Sequence, residues 1–373
     1  MNSSVSIFTL SLFLWSSSFV VAQPIELFLG TGGRMSEGIY HATFNPENGK
    51  FTPAQLAAKV GSPGFLTLHP NGKILYSIGR WEGGTGALGY HIKKNGKLEG
   101  FTRMACPDGG SAHLAVHPSG KFLLTAQYGG GSVALFPLDS SGNLGKPKLT
   151  KHQGGSKVVE RRQESPHPHW TGFSPDGNYA LIPDLGLDQI VIYKVDLSKP
   201  AIIPHAVAES VPGGGPRHMR FSIDGKFIFL LNELSLSVTT FSWDVENGTA
   251  KKLTTTPAIS EEVKAGESFN SSAEILIHPN GQFVYSSNRG HDTVSVYHAN
   301  RKNGKLKVIQ VQPIRGAFPR NINLTPKAGW LLAAGADSNT LSAHRVDQKS
   351  GKLTYQRGSV TNVPSPICIL FVD

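Results

Sequence analysis

The sequence predicts an all-β fold, a seven-bladed β-propeller closed by pairing of the N- and C-terminal strands in one blade. Composition, a turn motif repeated at propeller spacing and half-motifs at the two chain ends predict it. In 373 residues there are 42 Gly and 24 Pro but only 17% charged residues, as expected of many short strands joined by tight turns.

Six segments, among them LTLHPNGKILYSI, LAVHPSGKFLLTA and EILIHPNGQFVYSS, read as β-hairpins: apolar, β-branched-rich runs on either side of a Pro/Gly turn. Their turn glycines are Gly72, Gly120, Gly177, Gly225, Gly281 and Gly329, spaced 48 to 57 residues apart. A second hairpin recurs between them at Gly49, Gly96, Gly142, Gly248, Gly304 and Gly351, with the stretch near Ser198 as its seventh copy. Two hairpins make a four-stranded unit. The missing copy of the first hairpin is split: Ser365 to Val372 reads as its first strand and Glu26 to Gly30 as its second. Joining them completes a seventh blade and leaves no open sheet edge at the ends of the stack.

Residues 7–22 form an apolar run ending in Val20-Val21-Ala22, the pattern of an export signal removed before Gln23, so residues 1–22 are expected to be a leader and 23–373 the propeller. The expected location is secreted or periplasmic. No other segment reaches the length of a membrane span, so no membrane association is expected after cleavage. The two cysteines, Cys106 and Cys368, fall in different blades and are not expected to pair. The 36 Lys+Arg exceed the 26 Asp+Glu, but no basic block, zinc spacing or RNA-binding aromatic pattern accompanies them. Small anions are the expected partners, not nucleic acid.

In each first hairpin, residues eight before and eight after the turn glycine should lie side by side at the strand ends, and the innermost strands of a propeller line its channel. Counting back gives Gly64, Ala112, His169, Arg217 and Ala273, and Arg320 if one residue is inserted in its turn; counting forward gives Arg80, Tyr128, Leu185, Glu233, Arg289 and Asp337. The spacing therefore predicts one channel mouth ringed by four arginines, His169, Tyr128 and two carboxylates. Cations outnumber anions there, which suits an anionic ligand. His113 and His218, one residue further along, are expected to point away from the channel as packing residues. His167 and His169 flank Pro168, and no further ligand pattern supports a metal site. No cofactor is expected.

PHPHW, GPRHM followed by NEL, SNRG, FPRNINL and AAGADS resemble, in this order and over residues 25–373, the lactonase family of seven-bladed propellers, the 6-phosphogluconolactonase and carboxy-cis,cis-muconate cyclase type. The resemblance implies His169, with His167 as the alternative, Arg217, Glu233 and Arg289 as catalytic residues. A lactone-opening hydrolase needs a base for water and donors for the oxyanion. His169 or Glu233 would be the base and Arg217 and Arg289 the oxyanion binders. Arg320, Arg80, His167, Tyr128 and Asp337 would contact the substrate, a small anionic or sugar lactone. A non-catalytic extracellular binding propeller and a muconate-cyclase-like lactonising enzyme are the alternatives, and the leader sits oddly with a cytoplasmic sugar phosphate.

Overall fold

In the computed structural model, which describes residues 23–372, seven antiparallel sheets follow one another around a central channel. Blade one contains Pro366–Val372, Ile25–Thr31 and Gly38–Asn45, with an outer strand in two pieces, Lys50–Phe51 and Gln55–Lys59. Pro53 lies in the gap, where it has no N–H for the ladder. The other six blades each have four strands. The innermost are Leu66–Leu68, Ser111–Val116, Gly172–Phe173, Pro216–Phe221, Ser271–Ile277 and Pro319–Leu324. The helix Glu261–Ala265, capped by the Ser260 side chain, sits in the connection into blade six. No helix among the described residues is long and apolar enough to cross a membrane.

The terminal strands pair antiparallel from Glu26 opposite Val372 to Thr31 opposite Pro366, closing the ring as the split motif predicts. Seven apolar clusters fill the seven interfaces between neighbouring blades. Leu27 and Leu29 of blade one, for example, pack with Trp330, Leu332 and Leu341 of blade seven, so the closing interface is as well filled as any other. Each sheet is thus covered on both faces. Cys106 and Cys368 are buried in separate clusters as free thiols. The expected leader lies outside the described residues.

The sixth turn differs from expectation. The positive φ carried by Gly72, Gly120, Gly177, Gly225 and Gly281 falls in the last copy on Ala328 (φ 50°), not on Gly329. The amide of Ala328 donates to Thr325 O as the amide of Gly225 donates to Ser222 O. Arg320 therefore lies eight residues before its turn with no insertion, and Ala336, not Asp337, is the counterpart of Glu233 and Arg289.

Candidate active site

At one channel mouth lies a cavity of about 990 Å³, lined by Arg80, Tyr128, His169, Arg217, Glu233, Arg289, Arg320 and Asp337 from six blades. The strands carry a device that the spacing did not reveal. Register shifts in four inner strands skip a residue at Ala112, Arg217, Arg320 and within Ala273-Glu274, so the position eight before the turn is a β-bulge. A bulge adds a residue without advancing the partner strand and re-aims its side chain. Residues eight after the turn consequently pair further back than expected, with Arg80 bridging Gly61 and Arg289 opposite Ser271.

The bulge also overturns the reading of His218 as an outward packing residue, because simple alternation fails beside it; His113 does not line the cavity and is buried against Phe65 and Trp170, as a packing residue should be. His218 lines the cavity. With Phe65, His113, Trp170, Glu274 and Asn321, it occupies the position seven before the turn, and of these six Phe65 and His218 line the cavity while the others pack behind them. The Phe65 and His113 rings are 4.1 Å apart, and His113 and His218 5.4 Å. His218 Nδ1 stands 3.1 Å from Glu274 Oε1, and Asn321 Nδ2 donates to Glu274 Oε2 at 2.7 Å.

Glu233 gathers the cations. Its Oε1 accepts from Arg162 at 2.7 Å, and its Oε2 lies 3.1 Å from Arg289, 3.4 Å from Arg217 and 3.7 Å from His169 Nε2. Burial opposes ionisation of this carboxyl, but the Arg289 and Arg217 charges outweigh it and hold its pKa far below the usual range. A carboxylate so committed is a poor proton acceptor. Burial and then the Arg289 charge pull the Arg217 guanidinium down to about 9, still protonated at neutral pH. Its terminal nitrogen lies 2.7 Å from His169 Nε2 and 3.1 Å from Nδ1. Burial, and then Arg217, push the His169 pKa well below 6.5, so the imidazole is neutral.

Loops before the bulges set the arginines. Asp188 accepts from Gly213 N at 2.7 Å and Gly215 N at 2.8 Å, just ahead of Arg217; both glycines have positive φ, 70° and 66°. Asp292 accepts from Phe318 N at 2.7 Å two residues before Arg320, and the Phe318 ring lies 5.3 Å from the Arg289 guanidinium. Phe318 itself has φ 61°, a strained conformation for a bulky residue and one that recurs at functional sites.

The side chains of Arg80 and Arg320 face the cavity without a hydrogen bond or ion pair among the described residues. Asp337 also lines it, exposed, with no ion pair within 4 Å among them. Leu185 is fully buried. His167 does not line the cavity: its ring stacks on Tyr128 at 4.6 Å and its Nδ1 is 2.8 Å from Tyr128 O, so it supports Tyr128 where substrate contact was expected. Arg162 was missed because it lies in an irregular connection with no copy in other blades. No group of three or more His, Cys, Asp or Glu among the described residues is arranged to hold a metal ion.

Burial depresses the pKa values of His113, His169 and His218 well below 6.5 in the folded protein. Below that value the unfolded chain binds protons that the folded chain refuses, so stability must fall as pH drops, by about 1.4 kcal/mol per pH unit for each group. Melting temperatures measured from pH 8 to 5 should decline below about 6.5. A flat profile would show that the three imidazoles do protonate when folded.

A family model described as lactonase, 7-bladed beta-propeller, matches residues 26–371. The 6-phosphogluconolactonase of Bacillus subtilis is 32% identical over 339 residues, spanning 90% of this chain and 95% of its own. That of Formosa agariphila is 34% identical over 340 residues, spanning 88% and 94%. The solved periplasmic gluconolactonase of Pseudomonas aeruginosa superposes with a TM-score of 0.86 at 27% identity over 94% of this chain and 99% of that one.

Proposed function

The chain belongs to the lactonase family of seven-bladed β-propellers and hydrolyses lactones, and from that premise we propose that its substrate is a sugar-derived lactone with an anionic tail. The carrying observation is the pair of guanidiniums without a hydrogen bond or close ion pair, Arg80 and Arg320, beside an arginine cluster whose own charge Glu233 largely satisfies. Planar forked donors suit a carboxylate or phosphate. Arg217 and Arg289 receive the carbonyl oxygen as it becomes an oxyanion, and Glu233 fixes them. Tyr128 and Phe318 provide flat walls for the sugar ring, and Asp337 is an acceptor for its hydroxyls. The base is a neutral imidazole, His169 or its neighbour lining the cavity, because Glu233 is bound to three guanidiniums.

A pH-indicator assay on neutral and phosphorylated gluconolactones, corrected for spontaneous opening, tests this reading. The protein should accelerate hydrolysis and show the lower KM for the anionic lactone, a preference that Arg80→Ala with Arg320→Ala should abolish. No acceleration with any lactone refutes the function; acceleration with equal KM values refutes the anionic tail.

The apolar run over 7–22 and the periplasmic location of the Pseudomonas aeruginosa relative support export. N-terminal sequencing of the protein recovered from its native host should begin near Gln23. Recovery of an intact Met1 on protein from the cytoplasm would overturn export.

A further inference from the structure

We infer that His218, oriented by Glu274, is the catalytic base that takes the proton from the attacking water. The inference rests on the lactonase reading and identifies which imidazole of the site does this work. Three groups near the arginine cluster can be compared as bases. Glu233 is engaged by Arg162, Arg217 and Arg289. His169 has an Arg217 terminal nitrogen within 3.1 Å of both ring nitrogens, so a cation sits against the ring and opposes its taking up a proton. His218 lines the cavity as they do, but differs from both in that neither of its nitrogens is hydrogen-bonded among the described residues.

A base also needs an orienting partner, as the imidazole of a catalytic triad needs its carboxylate. Glu274 is placed to be one. Its Oε1 is 3.1 Å from His218 Nδ1, at hydrogen-bond distance but misaligned, so that a small turn of the ring completes the contact. The carboxylate is itself fixed, accepting from Asn321 Nδ2 at 2.7 Å, Arg220 at 3.0 Å and the Ile275 amide at 3.0 Å. With Nδ1–H directed to Glu274, the proton-free nitrogen is Nε2, which is buried without a hydrogen-bond partner among the described residues, so the ring must turn toward the cavity for it to meet water. His218 is only 2% exposed, so it can take a proton only from a water that enters the cavity against the ring, not from bulk solvent.

Nε2 removes a proton from water while the water oxygen bonds to the lactone carbonyl carbon, and the carbonyl oxygen becomes the oxyanion. Collapse of this intermediate breaks the ring C–O bond. The departing ring oxygen takes the proton back from Nε2, yielding a hydroxy acid that ionises into solvent and a regenerated neutral imidazole. The sequence offers the same pair in its own terms, because His218 and Glu274 both stand seven residues before their turn glycines on adjacent blades.

The test uses the full chain and a lactone that the unmodified protein opens, with His218→Ala, His169→Ala and Glu274→Gln compared for kcat, KM and melting temperature. His218→Ala should lower kcat by about 10²-fold or more with KM little changed, the usual scale for a general base. Added imidazole, after subtraction of its reaction in free solution, should restore at least part of that loss, which a purely structural defect would not allow. Glu274→Gln should lower kcat by a smaller factor at similar KM. If His218→Ala does not fold, His218→Gln is measured in its place and judged by the same fall in kcat at constant KM. Retention of kcat within about threefold in a folded variant overturns the assignment, as does a loss in His218→Ala that imidazole fails to restore. Rescue of His169→Ala and not of His218→Ala would move the base to His169. Failure of the unmodified protein to open any lactone would instead count against the function.

Discussion

Arg217→Ala is expected to lower the rate of lactone opening by at least about 10²-fold while leaving the propeller folded, the scale seen when one oxyanion donor is removed. Arg217 is fully enclosed, sits on a bulge and shares Glu233 with two other arginines. Its loss therefore leaves the carboxylate with Arg162 and Arg289, so the fold has no unpaired buried anion to expel it. The loss should fall mainly on kcat, because the oxyanion exists only near the transition state. Arg217→Lys should recover only part of the rate, since a point charge cannot reproduce both the contact with Glu233 and a second donor. Kinetics matching the unmodified protein in a folded Arg217→Ala would remove this residue from the mechanism.

Much of this arrangement was legible because a propeller repeats itself. Turn spacing located the blades, the split hairpin located the closure, and counting eight residues from the turn found Arg80, Tyr128, His169, Arg217, Glu233, Arg289 and Arg320 in one cavity. What escaped was local. Strict strand alternation sent His218 away from the channel, but a bulge suspends alternation at the residue before it, and nothing in PRHM marks a bulge by composition. A glycine one place late hid the register of the sixth turn, since Ala328 adopts the left-handed conformation that Gly329 was expected to supply. Arg162 could not be found by repeat counting, because the segment that carries it to Glu233 occurs once. His167 followed its neighbour His169 in sequence but not in space, with Pro168 between them pairing against Asp184.

Glu233 separates two accounts of the site, and replacing it should produce the largest loss of stability. Arg162, Arg217 and Arg289 converge on this carboxylate, which is 5% exposed. Glu233→Ala leaves guanidiniums facing one another with their counter-ion gone, and breaking a buried pair of this kind costs about 3–5 kcal/mol. Glu233→Gln keeps the shape and the contact with Arg162 but not the charge, and should cost less. If Glu233 were the base, Glu233→Gln would abolish turnover at nearly unchanged stability; as the anchor of the arginines, it should lose stability and activity together. The pH dependence has a defined sign. The folded carboxyl titrates well below its unfolded value near 4.5, because the Arg289 and Arg217 charges overcome the effect of burial. Its contribution is therefore complete above about pH 4.5 and is lost as pH falls below that toward the folded pKa. The stability difference between the unmodified protein and Glu233→Gln, from urea unfolding, should be constant between about pH 5.5 and 8 and should shrink in more acid solution. A difference that grew on acidification would mean that the carboxyl is protonated in the folded protein, and the cluster would then need another counter-ion.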